Sequence, residues 1–257
     1  MARLSELRAR YGPELRRDAE LLLADLLGRS AAYVHGHGEI EVDDAPFDAL
    51  MRRRVAGEPL QYLRGRTEFY GREFRVDDRV LIPRPETELL VEQALQRIPR
   101  YARVLDVGAG SGCIAATLKL ERPDLRVFAV DVSVAALAVA RNNLQGAQVA
   151  LAASDALDSI RGRFDAIVSN PPYIPAADVE TLQIEVRGHE PHTALTPGPR
   201  GTEVIERLFA APLVLLEIGF GQEAAVREIA ERHGYRVEAV VPDLAGIPRV
   251  VVSSRAL

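Results

Sequence analysis

Apolar residues along this chain change their spacing twice. Within residues 18–27, Ala19, Leu22, Leu23, Leu26 and Leu27 recur at three- and four-residue intervals, which predicts an amphipathic helix. Phe47, Leu50 and Met51 repeat that spacing within residues 45–54. The intervening stretch, rich in Gly, Ser and His, predicts a connection holding a short helix. No strand-like alternation interrupts this part, so residues 1–66 are expected to form a small helical domain. The rhythm then shortens. Phe69-Tyr70-Gly71 and Phe74-Arg75-Val76 alternate, Asp77-Asp78 makes a turn, and Val80-Leu81-Ile82 follows. This predicts a β-hairpin or short strand pair in a linker over residues 67–85. Pro83 and Pro85 stiffen its exit, and Pro85 suits the first turn of a helix over residues 86–98.

From Tyr101 onward, strand-like and helix-like stretches take turns. Strands are predicted at 102–106, 126–131, 148–152, 164–170, 214–218, 236–240 and 249–253, with helices at 113–120, 134–143 and 222–232. That order predicts a doubly wound α/β domain over residues 86–257, with a seven-stranded, mostly parallel sheet. Only a short loop joins the last two strands, which suits an antiparallel hairpin at the sheet edge.

Composition narrows the chemistry. Of 257 residues, 47% are hydrophobic and 27% charged, so the chain is ordinary globular material able to bury a core without metals or disulfides. The formal net charge is −5, and Trp is absent. Both argue against a general nucleic-acid coat and against a broad stacking surface, so no direct nucleic-acid partner is expected. Lys119 is the sole lysine, a compositional bias in favour of arginine. The single cysteine, Cys113, excludes an intramolecular disulfide, and the five histidines show no metal-ligand spacing. No metal site is expected. The N-terminus has no apolar core of signal-peptide length, and no run of eighteen apolar residues occurs. A cytoplasmic protein with no membrane partner is therefore expected, and nothing requires more than a monomer.

The chemistry-bearing residues lie at predicted strand ends. Asp106-Val107-Gly108-Ala109-Gly110-Ser111-Gly112 follows a strand and opens a helix. Its glycines allow a tight turn and close approach of backbone to a ligand. The spacing differs from the dinucleotide motif and lacks the Lys-Ser/Thr of a phosphate loop. Asp131 ends the second strand, where an acid can bond a ribose diol. Asp155, after the third, can bond an adenine amino group, so the acids outline a nucleoside pocket.

Asn170-Pro171-Pro172-Tyr173 closes the fourth strand, at the edge where α/β enzymes act. Asn170 offers an amide oxygen, Pro171 a carbonyl held in a fixed direction, and Tyr173 an aromatic face. Two such acceptors can grip both hydrogens of a planar NH2 group. They bind more strongly as positive charge develops on its nitrogen.

DVGAGSG followed by Asp131 resembles class I methyltransferases that use S-adenosylmethionine, and the Asn170–Tyr173 loop resembles the NPPY motif of amino-methyltransferases. Further segments resemble the bacterial peptide chain release factor glutamine N5-methyltransferases: Asp18-Ala19-Glu20-Leu21-Leu22, Pro59-Leu60-Gln61-Tyr62, Glu68-Phe69-Tyr70-Gly71, Leu81 to Glu88, Glu190-Pro191, Leu216-Glu217-Ile218-Gly219 and Asp243 to Ile247. His189 departs from an aromatic common there. The resemblance implies a Rossmann-like catalytic domain and a helical N-terminal domain that docks a class 1 release factor. It implies S-adenosylmethionine held by Asp106, Gly108, Ala109, Gly110, Gly112, Asp131, Asp155, Asn170 and Thr87. It implies that the glutamine of a Gly-Gly-Gln loop is the methyl acceptor, with Asn170 and Pro171 orienting its amide and Tyr173 packing on it. Pro172, Arg84, Glu190, Pro191 and Phe69 complete the implied substrate cleft. Outside the resemblance, Arg84 can instead pair with Glu86 or Glu88, Phe69 can be a core aromatic, and Arg52-Arg53-Arg54 reads as a solvated helix face or a contact for an acidic partner. The competing functions are a glutamine methyltransferase acting on a ribosomal protein, an adenine-N6 methyltransferase and a cofactor-binding adaptor.

Overall fold

Two separate cores account for the change of rhythm in the sequence. The computed structural model of the protein describes residues 1–256 and divides at Arg66 and Thr67. The first unit also takes in residues 183–189, which the sequence assigns to the catalytic part. Ile184 lies against Gly57, and Glu185 pairs with Arg54 at 3.2 Å, which holds this segment to the helices.

The first unit contains β1 (Ala2–Arg3), α1 (Leu4–Ala9), α2 (Arg16–Leu27), α3 (Ala31–Gly36), β2 (Glu41–Val42), α4 (Ala45–Val55) and α5 (Leu60–Arg64). The apolar face of α2 meets Leu4, Leu7, Val34, Phe47 and Met51, all buried. Gly28 ends α2 in the left-handed conformation that glycine adopts without strain. Ser30 caps α3 by accepting from the Tyr33 amide at 3.1 Å. The unit is not purely helical, because β1 and β2 pair antiparallel. Two-residue strands are too short to leave an alternation in the sequence. The arginine run on α4 also differs from a uniformly solvated face. Arg53 pairs with Glu58, and half-buried Arg54 bridges Asp18 and Glu185.

The second unit begins with a hairpin, β3 (Arg66–Phe69) and β4 (Arg72–Arg75), followed by α6 (Pro85–Arg97). Residues 80–82 form no strand: Val80 and Ile82 are buried, but no neighbouring strand offers a ladder. Then come β5 (Arg103–Val107), α7 (Cys113–Glu121), β6 (Arg126–Asp131), α8 (Val134–Asn143), β7 (Ala150–Ala153) and β8 (Ala166–Ser169). After α9 (Ile184–Arg187), which belongs to the first unit, and the short helix α10 (His192–Leu195) follow β9 (Leu213–Glu217), α11 (Glu223–Arg232), β10 (Tyr235–Pro242) and β11 (Pro248–Arg255). The sheet order is β10-β11-β9-β8-β5-β6-β7. Strands β5 to β9 run parallel, while β11 is antiparallel to both its neighbours. This is the Rossmann-like class I methyltransferase architecture.

Pleating decides which side chains face which layer. Val104, Val168, Leu215, Val250 and Val252 pack with α6 and α7, whereas Leu105, Ile167, Val214, Leu216 and Val251 pack with α11. The same parity sends Asp106 and Glu217 to the α6–α7 side. Asn170 continues it one residue beyond β8, because Ser169 stands opposite Leu216.

Candidate active site

The carboxyl ends of β5, β6 and β8 open into a pocket lined by the glycine loop, Asp131, Asp155, Thr87, the Asn170-Pro171-Pro172 segment and Pro191. On one side the loop is fixed by its own backbone. Gly108 and Ala109 both donate to the Val130 carbonyl at 2.9 Å. Gly108, Gly110 and Gly112 all have positive φ, which a side chain would strain. A Cβ on Gly110 would meet nothing within 4 Å, and one on Gly108 only the Asn170 carbonyl at 3.8 Å, an ordinary contact, so the loop backbone stands open to a ligand there. Gly112 differs from the expectation. A Cβ there would lie 3.2 Å from the Ala140 Cβ, so this glycine allows α8 to pack closely and does not line the pocket.

Asp131 ties that side together. Its carboxylate accepts from the Gly110 and Ser133 amides, both at 2.8 Å. A carboxylate has about four lone-pair directions, so capacity for a diol remains. Burial pushes its pKa up, against those amide bonds. Asp106 lies behind the loop, not on the pocket wall. It is fully buried, one oxygen accepts from the Ala115 amide at 3.1 Å, and the other has no partner among the described residues. Burial pushes it up to about 7. Asp155 reaches the pocket but its carboxylate pairs with Arg207 at 2.7 Å.

The other side joins residues distant in sequence. Asn170 donates from Nδ2 to the Thr87 hydroxyl at 3.0 Å, and that hydroxyl donates to Glu217 at 2.7 Å. Thr87 is buried near the start of α6, where Pro85 opens the helix. Glu217 is also buried, which pushes it up to about 7, while the Thr87 and Tyr173 hydroxyls act the other way. Tyr173 does not line the pocket. Its hydroxyl lies 3.4 Å from the second Glu217 oxygen. Its carbonyl accepts from the Gln222 amide at 2.8 Å, and Gln222 also accepts from the Gly219 amide at 2.8 Å. A Cβ at Gly201 would fall 2.5 Å from that Tyr173 carbonyl. Gly201, Gly219 and Gln222 therefore clasp the backbone that follows Asn170.

Two expected cleft residues pair with each other. One Arg84 guanidinium nitrogen donates to both Glu190 oxygens at 2.8 Å, so neither Glu86 nor Glu88 is its partner. Burial pushes Glu190 up, opposed by Arg84. Phe69, expected at the cleft, is a core residue, edge-on to Phe74 at 6.1 Å between ring centres. The hairpin must bury one face, and Phe69 lies on it. Cys113 borders the pocket, but burial pushes its thiol up to about 12, far from a reactive thiolate.

The sequence reading missed Glu217 and Gln222 as site residues. The signal for Glu217 was present: an acid ending an otherwise apolar strand at the sheet's active edge. Among the described residues no group of His, Cys, Asp and Glu is placed to hold a metal, and no helix is long and apolar enough to cross a membrane.

Residues 4–65 match the PrmC N-terminal domain, and residues 85–238 match the methyltransferase small domain. The chain is 46% identical to a release factor glutamine methyltransferase of Koribacter versatilis, over 98% of this chain and 95% of that protein. It is 40% identical to one of Salmonella typhimurium, over 91% and 90%. Among solved structures, a chain of the E. cuniculi Mtq2–Trm112 complex superposes with a TM-score of 0.53 at 24% identity, covering 69% of this chain and 99% of that one. S-adenosylmethionine is the cofactor of this fold, and the open glycine loop with Asp131 beside it fits that ligand. Family models span both units and full-length relatives agree with them, so the chain belongs to the release factor glutamine methyltransferase family.

Proposed function

We propose that this protein methylates the side-chain amide nitrogen, N5, of the glutamine in the Gly-Gly-Gln loop of a class 1 peptide chain release factor. The observation that carries the reading is the meeting of two walls in one pocket. The glycine loop and Asp131 form one, and the rigid Asn170-Pro171-Pro172 segment forms the other. Bound S-adenosylmethionine supplies an electrophilic methyl group. The residues of this chain do the rest. The Asn170 amide oxygen and the Pro171 carbonyl accept the two hydrogens of the acceptor amide and aim its nitrogen. As that nitrogen gains positive charge, both acceptors bind it more strongly, which lowers the barrier. No side chain needs to ionise the amide first: the nitrogen–methyl bond forms as the methyl–sulfur bond breaks, the cofactor leaves as its thioether, and the nitrogen then gives up one proton to water. Pro191 borders the acceptor side, with Glu190 of the Arg84–Glu190 pair next to it in the chain, and Tyr173 holds the loop in shape through Glu217 and Gln222. The helical unit supplies the docking surface for the body of the release factor. The site of action is the cytoplasm, where release factors work.

The test supplies radiolabelled S-adenosylmethionine and the purified protein with a full-length release factor, with ribosomal proteins, or with adenine-containing DNA. Label is expected on the release factor and is expected to vanish when the Gly-Gly-Gln glutamine is changed to alanine. Label on a ribosomal protein alone, or on DNA alone, overturns the reading in favour of a related methyltransferase.

A further inference from the structure

We propose that Glu217 is a positioning residue of the methyl-transfer site: acting through Thr87, it fixes which way round the Asn170 amide faces the acceptor. This rests on the reading above that Asn170 touches the acceptor amide.

An asparagine amide can present either its oxygen or its NH2 group to a given neighbour, and the two orientations have nearly the same shape. Something must choose between them. An ionised carboxylate has no proton to donate, so the 2.7 Å contact between Thr87 and Glu217 consumes the single hydroxyl proton of Thr87. Toward Asn170, at 3.0 Å, Thr87 can then only accept. The amide must turn Nδ2 to Thr87, which leaves Oδ1 for the acceptor. The reverse orientation would set the amide oxygen against hydroxyl lone pairs in a buried place, and it would offer NH2 to the NH2 of the acceptor. The Tyr173 hydroxyl, 3.4 Å from the other Glu217 oxygen, donates in the same sense and keeps that carboxylate an acceptor on both sides. Thr87 and Asn170 both border the pocket, whereas Glu217 does not, so Glu217 acts only through the others.

The fold explains the placement. Glu217 and Asn170 share pleat parity on adjacent parallel strands, and α6 covers that face with Thr87 in its first turn. Four groups bear on the Glu217 charge. Glu86 on α6 raises its pKa, while Thr87, Tyr173 and Arg249 at the start of β11 lower it. Burial outweighs them, and the carboxyl titrates at about 7. Protonated, it gains a donor of its own, and Thr87 is no longer obliged to donate to it. Methyl transfer should therefore fall as the pH drops through about 7.

The test measures kcat on a full-length release factor at saturating cofactor, cofactor Kd, Tm and pH profile for the whole protein. Glu217→Gln should lower kcat about tenfold, the scale of a modest loss of orientation. Its cofactor Kd should match wild type, its Tm should not fall, and the loss of turnover near pH 7 should shrink. Thr87→Val should lose a similar factor, and the double variant should lose no more, since both break one relay. A wild-type kcat and pH profile in Glu217→Gln overturns the inference. So does a matching loss of Tm and cofactor affinity, which would make Glu217 merely structural, or independent losses in the double variant. A second measurement needs no substrate. The Asn170 side-chain NH2 resonances in 15N-labelled enzyme should show one protected hydrogen above pH 8, lost in Thr87→Val and exchange-broadened in Glu217→Gln. An unchanged signal in Glu217→Gln overturns the relay. A wild-type enzyme that leaves the release factor unlabelled overturns the functional reading alone, and the resonance measurement then decides the relay.

Discussion

The two walls of the pocket are built by different means. The glycine-loop wall comes almost entirely from one turn after β5, braced by a single acid at the end of β6. The Asn170 wall is assembled from three elements, with Thr87 83 residues before Asn170 and 130 before Glu217. A local wall can be cradle-like and tolerant, because backbone amides do the holding. An assembled wall depends on side chains whose hydrogen-bond directions must agree, so losing one member changes what the others present. The difference predicts where substitutions strike: the first wall through cofactor affinity, the second through turnover.

The largest expected effect belongs to Asn170→Ala. On the function proposed above, it removes a preorganised acceptor aimed at charge that develops only during transfer, a loss of roughly 10²–10³ in kcat. Cofactor Kd, measured by calorimetry, should stay within about threefold of wild type. A loss of cofactor affinity as large as the loss in kcat would break the division between the walls.

Asp131→Ala should act the other way, and less strongly. It removes the acceptor for Gly110 and Ser133 and the acid available to a ribose diol. Charged hydrogen bonds are worth about 1.5–3 kcal/mol each, so cofactor Kd should weaken roughly 10- to 100-fold. At saturating cofactor kcat should nearly recover. A variant that binds cofactor normally yet turns over slowly would place Asp131 on the acceptor side instead.

The same difference explains what the sequence disclosed. The glycine loop and Asp131 were legible because consecutive residues and one strand end carry the signal. Asn170-Pro171-Pro172 was legible for the same reason. The sheet, including its antiparallel edge, followed from alternation, since β11 and β10 read as strands joined by a short loop. What stayed hidden depends on tertiary meeting. The parity that turns Glu217 toward α6 needs the strand register, and the partner of Arg84 needed the position of Glu190, where local charge spacing offered Glu86 or Glu88 only as an alternative to the cleft. Phe69 and Gly112 sit beside functional segments but serve packing, and only their neighbours reveal it. Tyr173 likewise showed its aromatic face in sequence, but its fixed contacts are its hydroxyl and its carbonyl.

One property is common to both walls, and it gives the smallest effect. Each is backed by a buried carboxyl raised to about 7, Asp106 behind the glycine loop and Glu217 behind Asn170. The sign follows from linkage. The unfolded chain holds these protons only below about pH 4, whereas the folded chain keeps them to about 7, so between those values folding takes up protons. The stability they contribute is complete at low pH and is lost as the pH rises through about 7. Salt-bridged carboxylates such as Asp25, held below their usual range by Arg64 and Arg66 against the opposing effect of burial, act the opposite way but lose their contribution only at more acid pH. Cofactor-free enzyme should therefore melt several degrees higher at pH 5.5 than at pH 8. Asp106→Asn, which copies the neutral form, should remove about half of that difference, on the order of 2 kcal/mol, and should be the more stable protein at pH 8. Calorimetric Tm against pH for wild type and variant checks this. A wild-type curve flat from pH 5.5 to 8 would mean that both carboxyls stay ionised in the fold. Their burial would then be compensated by partners other than those seen around them.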